Sequence, residues 1–220
     1  MKRLGGAATL AWLAHDPCFP MIPAPEAAED LIARKRALRA EMRRRRAGLD
    51  TGRHAAASLS AARHVVRGLP WPERPRVALS WPLAEELDTR PLLHALHWLG
   101  AVPLLSRMAG RGRPLSFHAW QPDLVLAEGA FAVMEPPPGL PAVLPDIVLA
   151  PLLAFDGRGG RLGYGAGFYD RTFAALQAAG ARPLRVGLCF TLQEVAAVPV
   201  DATDVPLELV VTEAGVRALA

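Results

Sequence analysis

This sequence predicts an α/β sandwich with a largely parallel sheet, on three observations. Apolar runs of strand length alternate with helix-length amphipathic segments from about residue 77 onward. One run, Asp146-Ile147-Val148-Leu149-Ala150, is apolar almost without interruption, as a strand covered on both faces must be. A glycine-rich loop follows it, where open α/β sheets place their ligand crevice, beyond the carboxyl ends of strands. With 220 residues and 51% hydrophobic content, the chain can bury one sizeable core.

Each element has its own signal. Residues 1–25 hold four prolines and little periodicity and read as a poorly ordered leader, leaving 26–220 as a single domain. The basic start and apolar stretch of MKRLGGAATLAWLAHD resemble a signal peptide, but Gly5, Gly6 and Thr9 dilute it and no small-x-small cleavage site follows. From Glu26 to Ala47 acids come first (Glu26, Glu29, Asp30), arginines last (Arg43 to Arg46), and Gly48 is the stop, an order that complements a helix dipole. Leu31, Leu38 and Met42 mark its apolar stripe. Thr51 to Gly68 is a second helix, closed by glycine and Pro70.

Val77 to Trp81 reads as a strand, Thr89 to Leu99 as a helix capped by the threonine and closed by Gly100, and Val102 to Leu105 as the next strand. Leu115 to Trp120 and the region around Phe131 read as shorter strands, and Glu135-Pro136-Pro137-Pro138-Gly139 as a rigid connector. After the Asp146 strand come a helix from Phe168 to Ala179 stopped by Gly180, strands Arg185 to Phe190 and Leu207 to Thr212, and a short terminal helix.

Composition bounds the function classes. No apolar run reaches the roughly 18 residues of a membrane span. Cys18 and Cys189 give neither a disulfide framework nor metal-type spacing, which suits a reducing, cytoplasmic setting. A net charge of +4 and a pI near 9.7 favour acidic partners. All but two of the 25 basic residues are arginine, so Lys35 stands out as a place where a compact ammonium is wanted. The only two tyrosines, Tyr164 and Tyr169, fall in one loop.

That loop, Gly159 to Asp170 (GGRLGYGAGFYD), lies between a buried strand and a helix, so successive backbone N–H groups can converge on an anion and the helix start adds positive charge. Glycine at 163, 165 and 167 removes side chains that would block a polyphosphate. Arg161 can add charge-assisted bonds, and Asp170 can hold the magnesium that such phosphates carry. The competing reading makes Asp156-Gly157 and Gly159-Gly160 hairpin-type turns beside a glycine-rich corner. A Walker loop is excluded because the chain contains no Gly-Lys pair, and the dinucleotide fingerprint fails on spacing and on the missing downstream acid.

Lys35 and Arg39, at i and i+4, share a helix face where two cations can meet one polyphosphate. Arg43 to Arg46 read as a solvated basic surface. A nucleic-acid-binding module built on residues 34–46 is the rival from another class, though interleaved aromatics and a recognition motif are missing. Between a strand end and a helix cap, Trp81 and Glu86 offer a crevice a stacking surface and a carboxylate.

Taken in order, K35RALR39, S80WPLAEELDT89 and D146IVLAPLLAFDGRGGRLGYGAGFYDR171 resemble the 5-formyltetrahydrofolate cyclo-ligase family from about residue 30 to about 213. The resemblance implies a three-layer, Rossmann-like α/β fold and an ATP- and magnesium-dependent ring closure of 5-formyltetrahydrofolate to its 5,10-methenyl form, with ADP and phosphate released. By position it assigns ATP contacts to Lys35, Arg36, Ala37, Leu38 and Arg39, and to Arg161, Leu162, Gly163, Tyr164, Gly165, Ala166, Gly167, Phe168 and Tyr169. Folate contacts fall on Trp81, Glu86, Tyr164 and Phe168, and magnesium on Asp170 and Asp204.

Lys35, Arg39, Arg161 and Glu86 would carry the catalysis, the first three by neutralising phosphate charge and Glu86 by orienting the folate. Departures from the family pattern stand at Ala166, Trp81, Ala132 and Ser106. The enzyme reading expects a small-molecule substrate, a monomer, and neither membrane nor nucleic acid as partner. A nucleotide-binding enzyme of similar fold with another acceptor is its nearest rival.

Overall fold

The structure, a computed structural model, describes residues 25–220, so the expected leader lies outside the described residues but for Pro25. Two helices come first, α1 (Pro25–Ala47) and α2 (Thr51–Gly68). Asp50 caps α2 by accepting the Arg53 N–H at 2.9 Å. Strand β1 (Arg76–Leu79), helix α3 (Arg90–Trp98), strand β2 (Val102–Met108) and strand β3 (Leu115–Ala119) follow. A two-residue pair, β4 (Ala127–Glu128) and β5 (Met134–Glu135), leads to β6 (Ile147–Pro151) and to a small hairpin of β7 (Ala154–Phe155) and β8 (Arg161–Leu162). Helix α4 (Phe168–Ala178) and strands β9 (Leu184–Leu188), β10 (Leu209–Thr212) and β11 (Gly215–Ala218) complete the fold.

The main sheet runs β11-β10-β9-β6-β1-β2-β3, parallel through its centre and antiparallel at both edges. Strand alternation explains its two cores. Val77, Leu79, Ile147 and Leu149 face α2 and α3, where Val65, Leu92 and Leu96 meet them. Ala78, Val148 and Ala150 turn to the other face, against Phe173 and Leu176 of α4. Both faces of β1 and β6 are therefore dry, which is why Val77–Leu79 and Ile147–Ala150 are apolar at every position. Each buried Val, Leu, Ile or Phe among them contributes about 1.5–3 kcal/mol. Helix α1 seats Met42 on Leu153, Ala154 and Leu162 of the β7–β8 hairpin, at the carboxyl end of β6.

Four sequence readings change. The terminal segment is not a helix: Gly215 turns the chain at φ 148 and 215–218 pairs antiparallel with β10, overriding the helical composition of EAGVRALA. Phe131 lies not in a strand but in a single 3₁₀ turn (Ala130–Ala132) between β4 and β5, with positive φ at Phe131 and Ala132. Thr89 does not cap α3 with its side chain. Asp88 accepts the Arg90 N–H at 3.0 Å, while Thr89 Oγ1 donates to the Ser80 carbonyl at 2.9 Å. Arg46, read as solvated, is buried.

Candidate active site

An open cavity of about 390 Å³ lies where β1, β2 and β6 end, bounded by the segment after β1 and by the loop between β8 and α4. Both readings of the glycine stretch apply, to different halves. Residues 156–160 form a structural turn: the buried Asp156 carboxylate accepts N–H groups from Arg158 (2.9 Å), Gly160 (3.0 Å) and Val198 (2.8 Å). Residues 163–167 form the loop that borders the cavity.

In that loop Gly165 and Gly167 hold φ of 106° and 64°, left-handed conformations natural only to glycine. Gly167 delivers the chain into α4, so the helix amino end opens at the cavity wall. Gly163 keeps a conventional backbone and faces open space where a Cβ would stand.

Of the three cations assigned to phosphate, Arg161 lines the cavity, Arg39 contacts the loop, and Lys35 is held by the 201–204 segment. Arg39 Nε donates to the Gly163 carbonyl at 2.9 Å and packs under Gly165, 3.4 Å from where a Cβ would be. Lys35 Nζ donates to Asp204 at 2.6 Å and to Asp201 at 2.7 Å, contacts that raise the lysine above its ordinary range against the pull of burial. Arg161 sits over the rings of Tyr169 and Phe173, with Nη2 on Asp170 Oδ1 at 2.5 Å and Nη1 buried without a partner. Burial pushes its guanidinium downward in pKa, countered by Asp170.

Not every assigned residue reaches the loop. Arg36 and Ala37 are exposed on another face of α1, because i+1 and i+2 turn away from the Lys35–Arg39 stripe. Leu38 packs with Met42, and Leu162 is a core residue that does not line the cavity. Ala166, Phe168 and Tyr169 line the cavity; the Tyr169 hydroxyl is buried and has no hydrogen-bond partner.

The other wall is built by the segment after β1. Trp81 and Leu83 line it, and Glu86 is buried there with Oε2 accepting the Leu83 N–H at 3.0 Å. The Tyr164 hydroxyl donates to Glu86 Oε1, so one loop residue joins the two walls. Desolvation raises the Glu86 pKa, opposed by Tyr164, the Leu83 amide and Arg46. Burial, reinforced by Glu86, pushes the Tyr164 phenol far up, making it a neutral donor.

Magnesium was assigned to Asp170 and Asp204. Asp170 Oδ1 accepts from Arg161 and from the Val205 N–H (3.1 Å), and Asp204 Oδ2 from Lys35 and the Asp201 N–H (2.8 Å). Among the described residues, the second oxygen of each takes no donor. Among the described residues no cluster of three or more His, Cys, Asp or Glu could hold a metal alone. Two such carboxylates suit an ion that arrives already held by phosphates, which needs only one or two protein ligands.

The sequence reading missed three contributors. Arg43 and Glu135 line the cavity, and Arg46 lies behind it, bound to Tyr164 and Glu85. For Arg46 a signal existed. Positions 35, 39, 42 and 46 are spaced i, i+4, i+7 and i+11, one stripe of the helix.

The model of the 5-formyltetrahydrofolate cyclo-ligase family matches residues 31–213. The chain belongs to that family. It is 35% identical over 139 residues to the 5-formyltetrahydrofolate cyclo-ligase of Haemophilus influenzae, covering 60% of this chain and 72% of that one. The Escherichia coli K12 cyclo-ligase is 37% identical over 134 residues, 58% and 71% of the two chains. The solution structure of 5,10-methenyltetrahydrofolate synthetase from Aquifex aeolicus superposes with a TM-score of 0.72 at 29% identity, covering 84% of this chain and 92% of that one.

Within this cyclo-ligase the departures noted in the sequence acquire positions. Trp81, Ser106 and Ala166 all line the cavity, so they reshape its wall. Ala132 holds φ 56, a conformation that glycine adopts without strain.

Proposed function

We propose that the protein catalyses the ATP- and magnesium-dependent conversion of 5-formyltetrahydrofolate to 5,10-methenyltetrahydrofolate, releasing ADP and phosphate. One observation carries the reading: the glycine loop and Arg161, with Arg39 bound to the loop's Gly163 carbonyl, share a cavity with Trp81, Glu86 and the Tyr164 link. Phosphate-type and heterocycle-type groups thus meet at one place.

The chemistry asks for that meeting. The formyl oxygen is a poor leaving group until it attacks the γ-phosphorus of ATP and becomes a phosphate ester. N10 then attacks the formyl carbon, the carbon–oxygen bond breaks, phosphate leaves with the electron pair, and N10 loses its proton. No protein nucleophile is needed, because positioning and charge neutralisation supply such catalysis.

Arg161 offers its unpartnered Nη1, Arg39 and Lys35 add charge, and the loop amides with the α4 amino end complete an anion cradle. Magnesium, held by Asp170 and Asp204, supplies charge neutralisation on the phosphates. Glu86 and Tyr164 orient the reduced pterin, with Trp81 and Phe168 as apolar contacts. One chain carries the whole site, in keeping with a monomer, and the reading makes it a cytoplasmic enzyme.

Purified protein given magnesium-ATP and 5-formyltetrahydrofolate should develop the near-ultraviolet band of the methenyl product. ATP hydrolysis without that band would reject the acceptor and leave a nucleotide enzyme of another kind. Salt-sensitive binding of arbitrary nucleic acid, lost on changing exposed Arg43, Arg44 and Arg45, would instead support the rival module.

A further inference from the structure

Arg46 is the last cation on the α1 stripe, and its side chain is only 2% exposed. Burying a guanidinium costs several kcal/mol unless its donors are met. Here the compensation is partial: Nη2 reaches Glu85 at 3.2 Å, a carboxylate half in solvent, and Nε has no partner. Leu38 and Met42, on the same side of the helix, satisfy packing without charge. Packing alone therefore does not account for an arginine at 46.

Its remaining contact does. Nη1 lies 2.8 Å from the Tyr164 hydroxyl, and the guanidinium stands over that ring, 5.5 Å from its centroid. Arginine can only donate, so the phenol oxygen must accept from it and send its single proton onward. The neighbour in that direction is Glu86 Oε1. The chain Arg46 to Tyr164 to Glu86 thus has one polarity, and its far end is a carboxylate on the cavity wall. Arg46 and Glu85 do not line that wall; Tyr164 and Glu86 do.

We infer that Arg46 is a positioning residue for the folate half of the site, acting through the Tyr164 hydroxyl to hold Glu86 as a fixed hydrogen-bond acceptor for the N–H edge of the reduced pterin. The inference rests on the proposed function only in naming the pterin. Without Arg46 the Tyr164 hydroxyl is free to rotate, and Glu86 keeps the Leu83 amide as its one fixed donor and loses the nearby positive charge.

The test is a double-mutant cycle read by calorimetric affinity for 5-formyltetrahydrofolate and, separately, for magnesium-ATP. Arg46→Met should weaken folate binding tenfold or more and change ATP binding less than twofold. Arg46→Lys should fall between it and the parent. In a Tyr164→Phe background, Arg46→Met should add less than threefold, because the path through the hydroxyl is already cut.

Equal losses in the two backgrounds would overturn the inference, as would folate and ATP affinity falling together. Should Arg46→Met not fold, Arg46→Lys with and without Tyr164→Phe makes the same comparison. A parent enzyme that binds folate but yields no methenyl band would sink the proposed reaction while leaving the cycle interpretable.

Discussion

Arg161 Nη2 is 2.5 Å from Asp170 Oδ1, while Nη1 of the same guanidinium is equally buried and has no partner. Half of the fork is satisfied by Asp170, and half is left for an oxygen that the described residues do not supply. Charge-assisted bonds of this kind are worth about 2–4 kcal/mol where charge develops in a reaction. Arg161→Ala should therefore lower kcat/KM for ATP by about 30- to 1000-fold with folate KM little changed. Arg161→Lys, which keeps charge but not the fork, should recover only part of it. Steady-state kinetics with each substrate varied in turn checks both.

Lys35 presents a different case, since both of its contacts are carboxylates that phosphate oxygens would have to replace. Its pairing helps to lower Asp201 from the ordinary aspartate range to about 2. A group depressed on folding stabilises the fold above its unfolded pKa, about 3.9, and loses that contribution as pH falls through its folded value. Between about pH 4 and about 2 the parent should lose thermal stability faster than Asp201→Asn. Melting temperatures across that interval report it. At neutral pH, Lys35→Ala should remove most of the turnover.

Asp170 and Asp204 each keep one oxygen without a donor among the described residues. Replacing either by asparagine should raise the magnesium concentration needed for half-maximal turnover by about tenfold, one lost ligand charge being worth about 1.4 kcal/mol or more. The measurement is a magnesium titration at saturating ATP, and an unchanged requirement in both variants would remove them as metal ligands.

Glu86 already binds two donors within the protein and retains lone pairs for a third. Glu86→Gln should raise the folate KM about tenfold and leave the ATP KM within twofold. Varying the two substrates separately gives the answer.

Ala132 sits at φ 56, in the left-handed region that costs a Cβ-bearing residue about 1–2 kcal/mol. Ala132→Gly should raise the melting temperature by about 2–4 °C, the shift expected of about 1 kcal/mol in a domain of this size, without altering turnover. Thermal unfolding followed by circular dichroism would decide it.

The central sheet was legible because both faces of β1 and β6 are dry, which writes an apolar run that no amphipathic element imitates. The glycine loop was legible because left-handed backbone at 165 and 167 restricts the residue type. What stayed hidden depends on long-range partners. EAGVRALA has a helical composition, yet an unpaired edge beside Val210 and Val211 captures it as a strand. Arg46 resembles its exposed neighbours Arg44 and Arg45 in residue type. Helix periodicity places it on the Lys35–Arg39–Met42 stripe, but its partners Glu85 and Tyr164, the latter 118 positions later, are not legible from that spacing. Glu135 reads as the start of a proline connector, and its place in the cavity wall follows from the Met108 amide it accepts at 3.2 Å.

The pairing of Lys35 with Asp201 and Asp204 spans 166 and 169 positions. During translation, helix α1 leaves the ribosome before the other described elements, and the segment that receives its lysine follows many seconds later at about 5–20 residues per second. Until that segment emerges Lys35 has neither of the carboxylates that hold it, so α1 is pinned at this point only late in synthesis.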